Sequence, residues 1–182
     1  MKKIENWNEV KEAGNYKVLP AGPQICRITG AVDYIDKEYL EILFEIVDGE
    51  YKGYFTELSK AFPDNRWGGR AIRSYKAKAL SFFKSFTTAV EKSNPGYKWD
   101  FDEKKLIGKF VVVNFGEEEW ETPEGELKVL VKAQEFRSLV AFREGKIKTL
   151  DIKKLKKVEK KDKDPFADLN NDFNISNDDL PF

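Results

Sequence analysis

Residues 39–47 alternate large apolar side chains with mostly polar ones, and this pattern constrains the fold more than any other feature of the chain. Every second position is apolar: Leu40, Ile42, Phe44 and Ile46. The positions between them are Tyr39, Glu41, Leu43 and Glu45. Successive side chains of a β-strand point to opposite faces, so a period of two predicts a strand with one face buried. The chain therefore needs a sheet that covers one side of this strand.

Two neighbouring segments are predicted to pair with or follow this strand. Residues 24–34 are rich in Ile, Val and Thr, as strands are, and should pair with it across the short connection 35–38. Asp48-Gly49 is a turn signal, and residues 51–58 after it are predicted to form a third strand. The chain is thus expected to open with three antiparallel strands.

A helix and a second hairpin are predicted for the next part of the chain. Residues 75–93 form the helix, because apolar side chains recur at steps of three and four: Ala79, Phe82, Phe83, Phe86 and Val90. Residues 109–122 and 126–142 form the last two strands around the turn at Pro123 and Gly125. The side chains expected to face inward on the last strand are Leu127, Val129, Val131 and Ala133.

The predicted order of elements is strand, strand, strand, helix, strand, strand. An OB-fold has this order; it is a five-stranded Greek-key barrel whose second and third strands and adjoining loops form a nucleic-acid groove. Other small α+β domains share the order. We therefore predict a mainly β protein with one helix, and an OB-fold domain at residues 23–150. A strap (1–22), a Lys-rich stem (151–163) and a disordered acidic tail (164–182) complete the expected organisation.

Composition excludes several classes of chemistry. The chain has no histidine and one cysteine, Cys26, so it holds no Ser-His or Cys-His nucleophile, no imidazole metal ligand and no internal disulfide. No apolar run approaches the ~18 residues of a membrane span, and Met1 does not lead into a signal-peptide core. We expect a cytoplasmic, non-enzymatic protein without cofactor, catalytic residues, metal site or membrane contact.

The acidic and basic residues are unevenly distributed. Residues 65–90 are twenty-six consecutive positions without a carboxylate, although Asp and Glu fill 32 of 182 positions overall. Residues 143–163 hold ten basic and four acidic residues, and residues 164–182 hold five acidic and no basic ones. A basic stem next to an acidic end indicates either self-competition for one surface or two different partners.

The acid-free stretch is a candidate nucleic-acid site in its first part. Lys and Arg neutralise phosphates, and aromatic faces stack on unpaired bases. The residues predicted for one wall of the groove are Tyr51, Tyr54, Arg66, Trp67, Arg70, Arg73, Tyr75 and Lys76. Those predicted for the other wall, on the last strand, are Lys128, Lys132 and Arg137. The alternative is a solvated cationic face, which the apolar spacing favours for residues 77–90.

An acidic cluster surrounds the turn between the last two strands. It comprises Glu117, Glu118, Glu119, Glu121, Glu124 and Glu126. A solvated edge that discourages strand-to-strand aggregation is the favoured interpretation. The alternative is a carboxylate site for Mg²⁺, as in a nuclease, which requires the side chains to converge.

The chain ends in a short acidic and aromatic motif: Asp178, Asp179, Leu180, Pro181 and Phe182. The terminal ring can fill an apolar pocket while Lys or Arg side chains of a partner hold the acids. This motif resembles the tips of bacterial and phage single-stranded DNA-binding proteins, whose acidic tails typically end in Asp-Asp-(Ile or Leu)-Pro-Phe. Residues 73–76 and 92–99 are similar to OB-fold DNA-binding proteins of phages and mobile elements of low-GC Gram-positive bacteria.

The resemblance implies a function for both parts of the chain. It implies sequence-independent coating of single-stranded DNA in replication, recombination and repair, and recruitment of partner enzymes by residues 178–182. The Lys-rich stem and the lack of a Gly/Gln-rich linker depart from the cellular members of the family, so their tetramer does not carry over and a homo-oligomer stays open. A Mg²⁺-dependent carboxylate nuclease and an RNA-binding or adaptor protein are the alternatives.

Overall fold

A five-stranded antiparallel open sheet forms the centre of the molecule. The computed structural model describes Lys3, Glu5 and residues 17–155. The strands are β1 (Gly22–Tyr34), β2 (Tyr39–Ile46), β3 (Arg70–Ser74), β4 (Phe110–Glu121) and β5 (Leu127–Arg137). The helices are α1 (Tyr54–Ala61), α2 (Leu80–Ser93) and α3 (Leu139–Arg143). The strands lie in the order β3-β2-β1-β4-β5, so the fold is mainly β, as predicted, with a few helices instead of one.

The predicted pairing of the first two strands is confirmed. β1 and β2 are antiparallel, with Cys26 opposite Ile46 at one end and Tyr34 opposite Tyr39 at the other. A single 3₁₀ turn, Ile35–Lys37, joins them, and Glu38 closes it with a left-handed backbone (φ 55°). The four predicted inward residues of β2, Leu40, Ile42, Phe44 and Ile46, are all buried, but so are two residues of its other face, Glu41 and Glu45. Phe86 and Val90 of α2 belong to the same core.

The predicted third strand at residues 51–58 is wrong, because this segment forms α1. The buried carboxylate of Glu45 on β2 accepts hydrogen bonds from the backbone N–H groups of Phe55 (3.1 Å) and Thr56 (2.7 Å). These are among the N–H groups that a helix start leaves without a partner. Gly53 precedes the helix with φ 75°, a conformation that glycine adopts without strain. A tertiary cap therefore selects a helix where local β-propensity favoured a strand.

The true third strand is β3, which lies between the predicted third strand (51–58) and the predicted helix (75–93). Leu43 pairs with Arg70 and Tyr39 with Ser74, so β3 covers the outer edge of β2. Gly69 makes this approach possible, since its O accepts from Phe44 N at 2.7 Å and a Cβ there would lie 2.1 Å from Phe44 O. The order of strands and α-helices is therefore strand, strand, helix, strand, helix, strand, strand, helix.

The long helix ends where predicted and begins later. α2 starts at Leu80, after a 3₁₀ turn at Ala77–Ala79, and Tyr75 lies before both. Phe86 and Val90 are buried as expected, and Phe83 packs against the core. Phe82 does not belong to the core stripe, because it is 71% exposed.

The second hairpin is confirmed, although its tip is less buried than predicted. β5 ends at Arg137, and the last residues of the predicted strand form α3. Val131 and Ala133 pack against the core, whereas Leu127 (63% exposed) and Val129 (53% exposed) do not. The hairpin extends past the body of the sheet, so alternation there has no core to face.

The two edge strands of the sheet, β3 and β5, approach each other through one side chain. Arg73 of β3 donates from Nη2 to the backbone O of Gln134 on β5 at 2.8 Å. Its guanidinium also lies 4.5 Å from the centre of the Phe136 ring. Burial lowers the pKa of Arg73 to about 10, so the group stays charged at neutral pH. A cation rather than a hydrogen-bonded ladder thus joins the edges.

The flanking segments fall largely outside the described residues. From the strap, only Lys3, Glu5 and residues 17–22 are described, and from the stem only residues 151–155. Lys153 bridges to β4, where its N–H donates to Glu117 O at 2.9 Å and its O accepts from Glu119 N at 3.0 Å. The predicted acidic tail, residues 164–182, lies outside the described residues. Of the helices described, none is long and apolar enough to cross a membrane.

Candidate nucleic-acid interface

A groove between β3 and β5 brings together four of the predicted site residues from distant parts of the chain. Its volume is about 640 Å³. The predicted residues that line it are Tyr54 of α1, Arg70 and Arg73 of β3, and Lys132 of β5. Apolar side chains complete the walls, among them Ile72, Val129 and Val131. We call this the cationic groove; α1 and β3 form one wall and β5 forms the other.

The groove continues onto the outward face of β1, β2 and β3 through Arg70 and Ile72. Strand alternation places Tyr39 and Glu41 on this face, since Leu40 and Ile42 point into the core. Ile72 lies opposite Glu41 in the ladder and is 51% exposed. We call this surface the tyrosine face, after Tyr34 and Tyr39. It offers rings and aliphatic groups beside the cations of the groove.

Glu41 links two of the predicted cations. Its carboxylate accepts from Arg66 Nη2 at 3.1 Å and from Arg70 Nη1 at 3.0 Å. The Glu41 side chain is only 9% exposed, whereas Arg66 is 67% and Arg70 37% exposed. A guanidinium has five N–H donors, so each arginine keeps donors that can reach a phosphate. The buried acid therefore orients two exposed cations on the tyrosine face.

Tyr34 and Tyr39 form a stacked pair at the end of the β1–β2 hairpin. Their ring centroids lie 4.8 Å apart with an interplanar angle of 28°. Tyr34 Oη donates to Glu41 Oε2 at 3.2 Å, and the negative charge of Glu41, followed by this hydrogen bond, raises the pKa of Tyr34. Two partly exposed rings, tied to the arginine pair, form a surface on which a base can stack.

Three further predicted aromatics have structural partners. Trp67 Nε1 donates to the backbone O of Phe44 at 3.1 Å, and its ring lies 6.4 Å from Phe55. Tyr51 and Tyr54 meet edge to face at 6.2 Å, and both pack partly against the core. These contacts stabilise the fold around α1, and only Tyr54 of the three lines the cationic groove.

Tyr75 and Lys76 lie at the other end of β3, outside the groove. Tyr75 Oη donates to Asp33 Oδ1 at 2.8 Å, and desolvation, with this hydrogen bond, raises the pKa of Tyr75 to about 12. Lys76 is exposed. The structure thus separates these two residues from Arg70 and Arg73, with which the sequence had grouped them.

The predicted cations of β5 are paired with acids. Lys128 lies 3.4 Å from Glu126, Lys132 lies 3.6 Å from Glu118, and Arg137 Nη2 lies 2.9 Å from Glu135. All three basic side chains are at least half exposed, and such ion pairs contribute only about 0 to 1 kcal/mol. Phosphates can therefore compete for them. Lys132 alone lines the cationic groove.

The acidic cluster at the β4–β5 hairpin also interacts with lysines. Glu118 lies 3.6 Å from both Lys132 and Lys153. Across the described part of the chain, no group of three or more Asp, Glu or Cys side chains is placed to hold a metal ion. Acidic and basic side chains thus lie side by side on the β4–β5 hairpin.

Sequence reasoning missed Tyr34, Tyr39 and Glu41 as site residues. A signal was available, because two tyrosines flank a four-residue connection and so must face each other across a hairpin. The predicted partner-binding residues 178–182 lie outside the described residues. A scan against protein-family models gives no match to this chain, and a search of curated proteins gives none either.

Proposed function

We propose that this chain is a sequence-independent single-stranded DNA-binding protein with an OB-fold. In this proposal the cationic groove and the tyrosine face hold the strand, and the protein coats and protects single strands in the cytoplasm during replication and recombination. The motif at residues 178–182 recruits partner enzymes. The observation that carries the proposal is the groove itself, in which Tyr54, Arg70, Arg73 and Lys132 converge from three separate elements.

The strand order supports the OB-fold part of the proposal. In the order β3-β2-β1-β4-β5, the first strand pairs with both the second and the fourth. The link from Arg73 to Gln134 brings the two edges together, as closure of a five-stranded barrel requires. A helix, α2, connects the third and fourth strands, which is its position in the predicted order.

The chemistry of the interface favours single strands over duplex. Rings and aliphatic side chains on the tyrosine face offer stacking partners, and a base can reach them only when it is unpaired. The cations provide the part of the affinity that does not depend on sequence. If the three exposed cations of the interface, Arg66, Arg70 and Lys132, contact phosphates, log affinity should fall with log salt at a slope of about −2.

The test is an anisotropy titration of the full chain with labelled oligonucleotides. We expect clear preference for a single strand over the duplex of the same sequence, and weaker binding by the variant Arg70→Gln with a slope shallower by about 0.7. Lys92→Gln is the matched control, because Lys92 is exposed on α2 and lines neither surface. Equal or greater affinity for duplex would refute the proposal, and an RNA strand of the same sequence in the titration distinguishes an RNA-binding role.

A further inference from the structure

A second, apolar pocket lies between the end of the β1–β2 hairpin and α2. Its volume is about 450 Å³, within the range of small-molecule sites. Ile35 follows β1, Leu80 and Phe83 belong to α2, and Trp99 and Phe101 lie in the segment after it. We call this the ring pocket. Its wall contains Asp33, which precedes Tyr34, and Tyr75, which follows β3, so the pocket lies close to the end of the tyrosine face. Asp33 pairs with the inward-facing Leu40, so the pocket opens on the opposite side of the sheet from the two tyrosines.

Aromatic side chains in contact with one another line the ring pocket, and the last of them is exposed to solvent. Phe83 meets Tyr75 at 5.7 Å and Trp99 at 6.1 Å, both edge to face, and Trp99 lies 6.0 Å from Phe101. Phe101 is 86% exposed. Its backbone has φ 67°, which is strained for a bulky side chain, so the fold holds this residue in a conformation that it disfavours locally. Strain of this kind is concentrated at ligand sites.

The polar groups of the pocket wall include two acceptors, the carboxylates of Asp33 and Glu103, and the Tyr75 hydroxyl already donates to Asp33 Oδ1. The indole Nε1–H of Trp99, in the same wall, is a buried donor without a hydrogen-bond partner among the described residues. Two carboxylates repel a phosphate, so the pocket does not suit the backbone of a nucleic acid. They attract an aromatic ring whose edge carries N–H groups. Lys76 and Lys78 follow Tyr75 in the sequence, and both are exposed. They are therefore available to bind the phosphates on either side of a base in the pocket.

We propose that the ring pocket binds one unpaired base of the strand and prefers guanine. This inference rests on the proposed function. Guanine alone presents two adjacent donors, N1–H and N2–H, on its Watson–Crick edge, and these match the two oxygens of one carboxylate. Thymine offers one N–H on that edge. Phe101 stacks on the base, and the Asp33 carboxylate reads its edge, which adds a local base preference to otherwise sequence-independent binding.

The test compares two single-stranded oligonucleotides, a thymidine homopolymer and the same homopolymer with one guanine. Full-length protein should bind the guanine-containing strand about fivefold or more tightly, since a bidentate contact discriminates by at least that factor. Asp33→Asn keeps an oxygen that accepts from Tyr75 but loses one acceptor and one negative charge. It should abolish the preference, measured as the ratio of the two affinities, which a uniform change caused by the lost charge does not alter. Equal affinity of the wild-type protein for the two strands would overturn the inference.

The stacking part has its own variant and control. Phe101→Ala should weaken binding of the guanine-containing strand about fivefold or more. Phe82→Ala is the matched control, because Phe82 is 71% exposed on α2 and does not line the pocket. Equal effects of the two variants would overturn the role of Phe101. If the wild-type protein binds neither strand, the proposed function is refuted. If it binds both strands equally, the base preference of the ring pocket is refuted and the proposed function is not.

Discussion

Replacing Glu41 by Gln tests whether this acid competes with DNA for the arginines. The carboxylate accepts from Arg66 at 3.1 Å and from Arg70 at 3.0 Å, and it is nearly buried. A phosphate on the far side of either guanidinium would lie roughly 7 Å from it, where two negative charges repel by about 0.6 kcal/mol in water and about 2.4 kcal/mol at an effective dielectric of 20. Because the acid is buried and Arg66 is exposed, we use an intermediate value of about 1.5 kcal/mol for the repulsion between Glu41 and a bound phosphate.

The substitution also has an opposing effect. The amide keeps an oxygen that accepts from one arginine, but the charge-assisted bond to the other becomes weaker. Ordering that side chain anew when DNA binds costs roughly 0.5 kcal/mol. The net gain is about 1 kcal/mol, so we expect Glu41→Gln to bind single-stranded DNA roughly fivefold more tightly at low salt. The log-log salt slope should become steeper by up to about 0.7, since less of the cation charge is neutralised internally.

The assay is the anisotropy titration at several salt concentrations, with thermal unfolding to check the fold. Glu144→Gln is the matched control, because it changes net charge equally at a carboxylate 2.8 Å from Lys146, outside the cationic groove and the tyrosine face. The control should change affinity less than about twofold. Weaker binding by Glu41→Gln would refute the reasoning, since orientation of the arginines would then outweigh competition.

Four further results are expected. Trp67→Phe should lower the free energy of unfolding by about 1 kcal/mol in chemical denaturation, because it removes the hydrogen bond to Phe44; an unchanged midpoint would contradict this role. Tyr39→Ala should weaken single-strand binding about fivefold or more, whereas Tyr39→Phe keeps the stacking ring; equal loss in both would exclude stacking. Deleting residues 164–182 should tighten binding at low salt if their five carboxylates compete with DNA for the groove, and nineteen residues of random coil would span roughly 24 Å; unchanged or weaker binding would count against self-competition. Labelled single strands should stay intact with Mg²⁺, and cleavage would favour the nuclease alternative.

The parts of the fold that sequence predicts are those with local causes. The β1–β2 hairpin follows from alternation in residues 39–47 and a connection of four residues, and both features are readable without the rest of the chain. The end of α2 at Ser93 follows from Pro95 and Gly96, which cannot continue a helix. In each case the backbone conformation is decided within about ten residues.

The parts that sequence did not predict depend on contacts between distant residues. α1 forms because Glu45, ten residues before Phe55, caps its first turn from a neighbouring strand. β3 has only five residues, and two of them are arginines, so no apolar alternation marks it. Its place is determined by β2, which needs a partner along its outer edge, and by Gly69, which allows the backbones to meet.

The same dependence on tertiary contacts separates the arginines of the candidate interface. The sequence gives no reason to distinguish Arg70 from Arg73, but strand alternation directs their side chains to opposite faces of β3. Arg70 is held by an ion pair with Glu41 and is partly exposed, so a phosphate can take the place of solvent around it. Arg73 is mostly buried between Gln134 and Phe136, and moving it towards a strand would separate β3 from β5. Arg66, Arg70 and Lys132 can therefore exchange their acidic partners for phosphates, whereas Arg73 contributes its charge without moving.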